Sequence, residues 1–106
     1  MASKAYATIR DAIQRRLQVV AVYKGYRREM CPHLVGKSKD GVEQALFYQF
    51  AGDSSKPLGP DGDPRNWRCI ALDELVSITT REGSWHSAGN HARPQTCVVA
   101  IDVEVS

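Results

Sequence analysis

No apolar run in this sequence approaches the roughly 20 residues that a membrane-crossing helix needs. The longest, Val19 to Tyr23 and Cys97 to Ile101, stop after five. The N-terminal stretch offers no apolar signal segment, since Ala5 to Arg16 mixes apolar and charged side chains. Cysteine is scarce: three residues, an odd number without CxxC spacing, so neither a disulfide scaffold nor a standard zinc module is expected. Internal repeats and low-complexity tracts are missing, and neither sign of charge dominates a net of +2. These absences exclude a membrane protein, a secreted mini-protein and, at 106 residues, a multidomain enzyme. What remains, with 42% hydrophobic and 25% charged residues, is enough for one core-forming domain, expected in the cytoplasm and without a cofactor.

Charge is distributed unevenly along the chain. Residues 1–40 carry nine Lys/Arg against three Asp/Glu, and residues 41–106 carry five against nine. A basic N-terminal part suits an acidic partner such as nucleic acid. It equally suits a solvated face that the fold intermixes with the acidic part.

Ala5, Ile9, Ala12, Ile13 and Leu17 recur at helical spacing among charged residues, which predicts one amphipathic helix with Ser3 as N-cap. Beyond it the chain reads as strand. β-Branched residues dominate Gln18 to Lys24, and Lys24-Gly25 marks a tight turn. Tyr26 to Lys37 is a longer strand interrupted by Pro32, which has no N–H to donate and belongs at an edge or bulge. Asp40-Gly41 is a type I′ hairpin signal before a third strand, Val42 to Ala51. Gly52 to Asn66, with three glycines and three prolines, is a long loop of the kind that carries function. Trp67 to Leu72 and Leu75 to Arg81 are short strands, and residues 82–95 have no periodicity. Thr96 to Val105 alternates apolar with polar residues and predicts a C-terminal strand that pairs with the sheet. The expected fold is mainly β (α+β): the helix over 1–17, a small antiparallel barrel of about five strands over 18–81, and the added strand within 82–106. Ile9, Ile13, Val20, Val22, Leu46, Ile70, Val76 and Ile78 form the expected core.

The ordered motifs resemble those of the WYL domain family. Residues 9–16 (IRDAIQRR), 22–25 (VYKG) and Arg28 four residues before Pro32 are similar to the opening of that domain. Phe47-Tyr48-Gln49 stands where the family places Trp-Tyr-Leu, and residues 67–75 (WRCIALDEL) resemble its Arg-x-Phe-Arg-Leu-Asp-Arg-Ile segment. The likeness spans about residues 8–80. It implies an Sm-like small β-barrel behind an N-terminal helix, acting as a ligand- or nucleic-acid-sensing module of transcription regulation in bacteria. The chain departs from the pattern at Phe47, Gln49, Ala71 and Glu74, lacks a helix-turn-helix, and adds a C-terminal tail.

Tyr23, Arg28, His33, Tyr48 and Arg68 are the candidate pocket. Two arginines with two tyrosines can grip a phosphate or carboxylate and stack a ring. The same residues serve equally as core aromatics and as arginines tied to backbone carbonyls. His86, His91, Cys97, Cys31 and His33 have no metal-ligand spacing, and Trp85 with His86 reads better as a loop anchor. Cys31 beside His33 is the nearest approach to a catalytic dyad, but no orienting group or oxyanion donor accompanies it. The expected function is therefore non-catalytic binding of a small anionic ligand or a short single-stranded nucleic acid. The alternative is an interaction module that contacts a protein partner or a second copy of itself as a homodimer.

Overall fold

The computed structural model describes residues 4–54, 58–60, 62–87 and 97–105. Helix α1 (Lys4–Arg15) turns Tyr6, Ile9, Ala12 and Ile13 inward, as the apolar spacing demands. The proposed cap, Ser3, lies outside the described residues. The helix ends on Arg16, whose φ is +52°. The Leu17 N–H then donates to Ala12 O at 2.8 Å and the Arg16 N–H to Ile13 O at 3.3 Å, a Schellman pair formed without the usual glycine. This reversal delivers Leu17 into the core and starts the sheet.

Six antiparallel strands follow: β1 (Gln18–Tyr23), β2 (Tyr26–Lys37), β3 (Glu43–Gly52), β4 (Trp67–Ala71), β5 (Val76–Arg81) and β6 (Ala100–Glu104). Their order is β4-β3-β2-β1-β5, with β6 paired to β2. One edge of β2 faces β3 along most of its length. The other is divided between β1, paired to residues 26–30, and β6, paired to residues 34–37. Pro32 falls in the gap between those two partners, and the register shift between Pro32 and Leu34 makes His33 the bulged residue. The proline thus sits at the bulge that its missing N–H requires. Strands β4 and β5 lie at opposite ends of the strand order, yet only a 3₁₀ turn (Leu72–Glu74) and Leu75 separate them. The sheet must curl until its two edges approach at that end. They do not pair, and the sheet is not closed.

The concave face holds the main core, where Ile9, Ala12 and Ile13 of α1 meet Val19, Ala21, Met30, Val35, Ala45, Phe47, Ile70 and Leu72. A smaller cluster of Leu34, Leu46 and Val98, with Trp67 and Cys97 against it, covers the opposite face. Both faces of β2 and β3 are therefore buried near their middles.

Several expectations need correction, and bulges account for most of them. Val76 is 54% exposed, because the β1/β5 register shifts between Val20 and Val22 and Ser77 takes φ +54°. The extra residue reverses the alternation, so Ile78 packs on the core and Val76 does not. Val22 is half-buried. In β6 a shift opposite Val35/Gly36 makes Asp102 the extra residue. Val103 and Val105 then face the core, while Val99 and Ile101 face outward. The turn at residues 38–42 is not type I′. Gly41 has φ +80° and donates to Ser38 O, but Asp40 is not left-handed. The I′-like turn is Lys24-Gly25, with φ +52° and +80°. Finally, Cys69 and Cys97 are joined by a disulfide, Sγ–Sγ 2.05 Å, and Cys31 is the buried free cysteine. An odd count excluded complete pairing, not one bridge. Cys97 is half-buried and precedes β6 rather than lying within it.

Two outcomes test this packing. Ile13→Ala should cost about 2–5 kcal/mol in a urea titration, since the side chain is enclosed by α1 and the sheet. The second concerns the helix–β6 contact, where the Tyr6 hydroxyl donates to Asp102 Oδ2 at 2.7 Å and Arg10 Nε does so at 3.1 Å. Burial, then the Asp102 contact, pushes Tyr6 up to about 12. The hydroxyl, then Arg10, holds Asp102 below its ordinary range. The depressed Asp102 value stabilises the fold above the ordinary carboxylate pKa, and that contribution is lost as pH falls through the folded value. The raised Tyr6 value stabilises below pH 10.0 and fades toward about 12. Tyr6→Phe should lower the melting midpoint at neutral pH, raise the Asp102 pKa by NMR titration, and shrink the acid-side slope.

Candidate anion site

Strand alternation builds the site. Ala21, Met30 and Ile70 belong to the core face. Two residues beyond each, on the same face, come Tyr23, Arg28 and Arg68. Arg28 lies opposite Ala21, and Arg68 opposite Phe47. The three extend the core surface past the end that α1 covers. There they line one cleft of about 270 Å³ together with Lys24, Ser54, Arg65, Trp67 and Cys69.

Arg28 is the unusual member. It is only 2% exposed, and its one hydrogen bond among the described residues runs from Nη1 to Gln49 Oε1 at 3.3 Å. Its Nε has no hydrogen-bond partner among the described residues. The guanidinium carbon stands 4.9 Å from the Tyr23 ring centroid and 5.6 Å from that of Tyr26, cation–π contacts that offset part of the desolvation. Burial still pushes its pKa down. Gln49 is itself fully buried and anchored, its amide donating to Ala51 O at 3.1 Å and Asp53 O at 2.9 Å. Gly52, at φ +87°, permits this closeness: a Cβ there would strike Arg27 O.

Arg68 bonds the carbonyls of Arg65 at 2.6 Å and Trp67 at 3.0 Å through Nη1. Its pKa is lowered by burial and then by the charge on Arg28, so the two guanidiniums repel one another across the cleft. Arg65 is already neutralised: its Nη2 lies 2.7 Å from Asp63 Oδ2, and that contact lowers the Asp63 pKa. Among the described residues, no carboxylate pairs with Lys24, Arg28 or Arg68. Lys24 instead lies 5.3 Å from the Tyr23 ring, in a left-handed position that Asn or Gly would occupy with less strain. The arrangement is a half-enclosed set of three cations without a carboxylate partner among the described residues, around one aromatic wall, suited to an anionic group.

His33 and Tyr48 lie elsewhere. The bulge buries His33 on the opposite face, with Nδ1 2.9 Å from Cys31 O and its ring against Trp67 at 4.8 Å and Trp85 at 5.1 Å. Tyr48 is fully buried, donates to Asp63 O at 3.0 Å and meets the Trp67 ring at 5.1 Å. Trp67 therefore joins the cleft to this aromatic cluster. Sequence reasoning did not include Lys24, Ser54, Arg65 or Trp67 in the pocket. The signal for Lys24 was its place in the turn beside Tyr23. Trp85 and His86 pack on the sheet, the latter stacked on Phe50 at 4.1 Å, while His91 lies outside the described residues. The long loop is pinned where it is described: Asn66 is buried, donating to Gly59 O at 3.1 Å and accepting from Gly59 N–H at 2.9 Å. No group of three metal-ligating side chains occurs among the described residues, and no helix there is long and apolar enough to cross a membrane.

No family model, curated protein or solved structure matches the chain.

A buried cation without a counter-charge weighs against folding. Arg28→Met, which keeps the volume and removes the charge, should leave the melting midpoint unchanged or raise it by an amount equivalent to about 1 kcal/mol. A drop of several kcal/mol by calorimetry would mean that the Gln49 and tyrosine contacts, rather than a ligand, justify this arginine.

Proposed function

We propose that this chain is a non-catalytic binding domain that takes a small anionic ligand, or the phosphates of a short single-stranded nucleic acid, in the cleft between Arg28 and Arg68. The observation that carries this reading is Arg28. Its guanidinium is almost wholly removed from water, faces a second guanidinium, and has no carboxylate partner among the described residues. Folded proteins rarely keep such a charge without a compensating ion. An anion in the cleft would supply one, and would offset both the burial that depresses Arg28 and the Arg28 charge that helps depress Arg68.

The WYL resemblance is consistent with this assignment, since Arg28 and Arg68 are the arginines at matching positions. Under the same reading the curled sheet is a variant of an Sm-like barrel. The order β4-β3-β2-β1-β5, with its two ends consecutive in the chain, is a path that further curling would close. A regulatory role in the cytoplasm and the absence of catalysis belong to this proposal. A second reading, an interaction module, draws on Val76 of edge strand β5 and on Val99 and Ile101 beside and within β6, all exposed apolar residues. Strand addition or a homodimer would cover them.

Titration of the protein with inorganic phosphate and with a short oligothymidylate, followed by calorimetry, tests the first reading. Arg68→Ala removes charge-assisted bonds of about 1.5–3 kcal/mol each. It should weaken whichever anion binds by at least about tenfold while the domain stays folded, and oligonucleotide binding should fall with salt. An unmodified protein that binds neither anion, or a variant that loses stability at unchanged affinity, overturns it. A concentration-dependent dimer with no anion binding would favour the interaction module.

A further inference from the structure

A second groove adjoins the cationic cleft and shares Cys69 with it. It has a volume of about 680 Å³, and its walls include Lys39, Val42, Gln44 and Val99. The Cys69–Cys97 disulfide lines it. Cys69 is exposed on edge strand β4, where the Gln44 amide donates to its Sγ at 3.6 Å. Cys97 is half-buried against Leu34, Leu46 and Val98. A disulfide that serves only as a staple is usually inaccessible. This one is open to an incoming thiolate from the Cys69 side.

The bridge also restrains a lightly secured part of the sheet. Strand β6 pairs with only four residues of β2, and Ala100, Ile101, Asp102 and Glu104 are exposed. Besides that ladder, it is held by Val99 N–H to Lys37 O, Val105 N–H to His33 O, the Tyr6 and Arg10 contacts to Asp102, and the disulfide. Its seat is nevertheless closely shaped. A Cβ on Gly36 would strike Ala100 O and come within 2.8 Å of Val98 Cγ1. A strand that leaves such a seat has a defined place to return to.

We propose that Cys69–Cys97 is a thiol–disulfide exchange site, and that its reduction unlatches the C-terminal strand from β2. A thiolate of a low-molecular-weight thiol attacks Cys69 Sγ. The Sγ–Sγ bond breaks, a mixed disulfide forms on Cys69, and Cys97 leaves as a thiolate that takes up a proton. A second thiol then attacks the mixed disulfide, so that two thiols are oxidised to their disulfide and both cysteines are reduced. The disulfide form of the same small thiol closes the latch by the reverse steps. Without the bridge, the unfolded reach of the segment between Cys69 and Cys97 is restored, which favours detachment of β6. Departure of β6 together with Val98 exposes Leu34, Leu46 and the edge of β2 over residues 34–37, and withdraws Val103 from the main core. Cys31, fully buried, stays outside the exchange.

Glutathione at millimolar concentration is the probe, applied to the full folded chain and followed by alkylation, intact mass and hydrogen exchange. We expect no alkylation before reduction and two alkyl groups after it, on Cys69 and Cys97. Exchange in residues 98–105 should rise at least tenfold while β1, β2 residues 26–30 and β3 keep their protection. Glutathione disulfide should restore the slow exchange, and Cys97→Ser should match the reduced protein without any thiol. Reduction that occurs only in denaturant overturns the exchange site. Unchanged protection of residues 98–105 in the reduced protein overturns the latch. Simultaneous loss of protection in β1–β3 does so as well, because the bridge would then hold the whole fold.

Discussion

Strand β2 is the constraint around which the molecule is arranged. It is twelve residues long, covered on both faces near its middle, and shares hydrogen bonds with three other strands. A proline at its centre cannot donate, so no continuous partner can run along that edge. The chain resolves the conflict by starting β1 opposite Met30 and ending β6 opposite Leu34, with the bulge at His33 between them. Everything peripheral follows from this division. The β1 half carries Tyr23 and Arg28 toward one end of the core face. The β6 half brings the C-terminal segment back over α1, where Asp102 meets Tyr6 and Arg10.

The cationic cleft is what remains when period-2 alternation runs past the end of the helix that covers it. A residue on the core face is normally apolar, and Ala21, Met30 and Ile70 obey that rule. Their neighbours two positions on do not, and the next layer is Tyr23, Arg28 and Arg68. Placing two guanidiniums there lowers both pKa values and brings no compensating carboxylate among the described residues. Enclosing a guanidinium in this way carries a desolvation cost that an apolar side chain at the same place would not. The left-handed Lys24 adds local backbone strain.

The opposite face follows a different logic. It is aromatic rather than charged, with His33 against Trp67 and Trp85, Tyr48 against Trp67, and His86 stacked on Phe50. It is finished by the segment after β5, where Gln18 bonds Ser84 O at 2.7 Å and the His86 N–H approaches Cys31 Sγ at 3.3 Å. The disulfide and Val98 close its far side. The sheet therefore carries two kinds of surface chemistry, and Trp67 and Cys69 on the edge strand belong to both.

The sequence by itself determined the elements. The spacing of Ile9, Ala12 and Ile13 specified α1, and the β-branched and aromatic runs specified the strands to within a residue or two at most ends, because those signals are local. It also marked Pro32 as an edge or bulge position, since a missing N–H is a property of the residue alone. Arg28, Arg68 and Tyr23 could be named together from the order of motifs, and their strand parity is consistent with a shared face. Only the tertiary structure decided which valines are buried, because a single extra residue at Ser77 or Asp102 inverts alternation and leaves no mark in composition. It alone separated His33 and Tyr48 from the arginines, placing them across the sheet. It alone joined Cys69 to Cys97, since a bridge depends on two backbones brought to 5.8 Å across 28 residues of chain. Local chemistry is written residue by residue. Register, sheet face and long-range pairing are decided only when the strands meet.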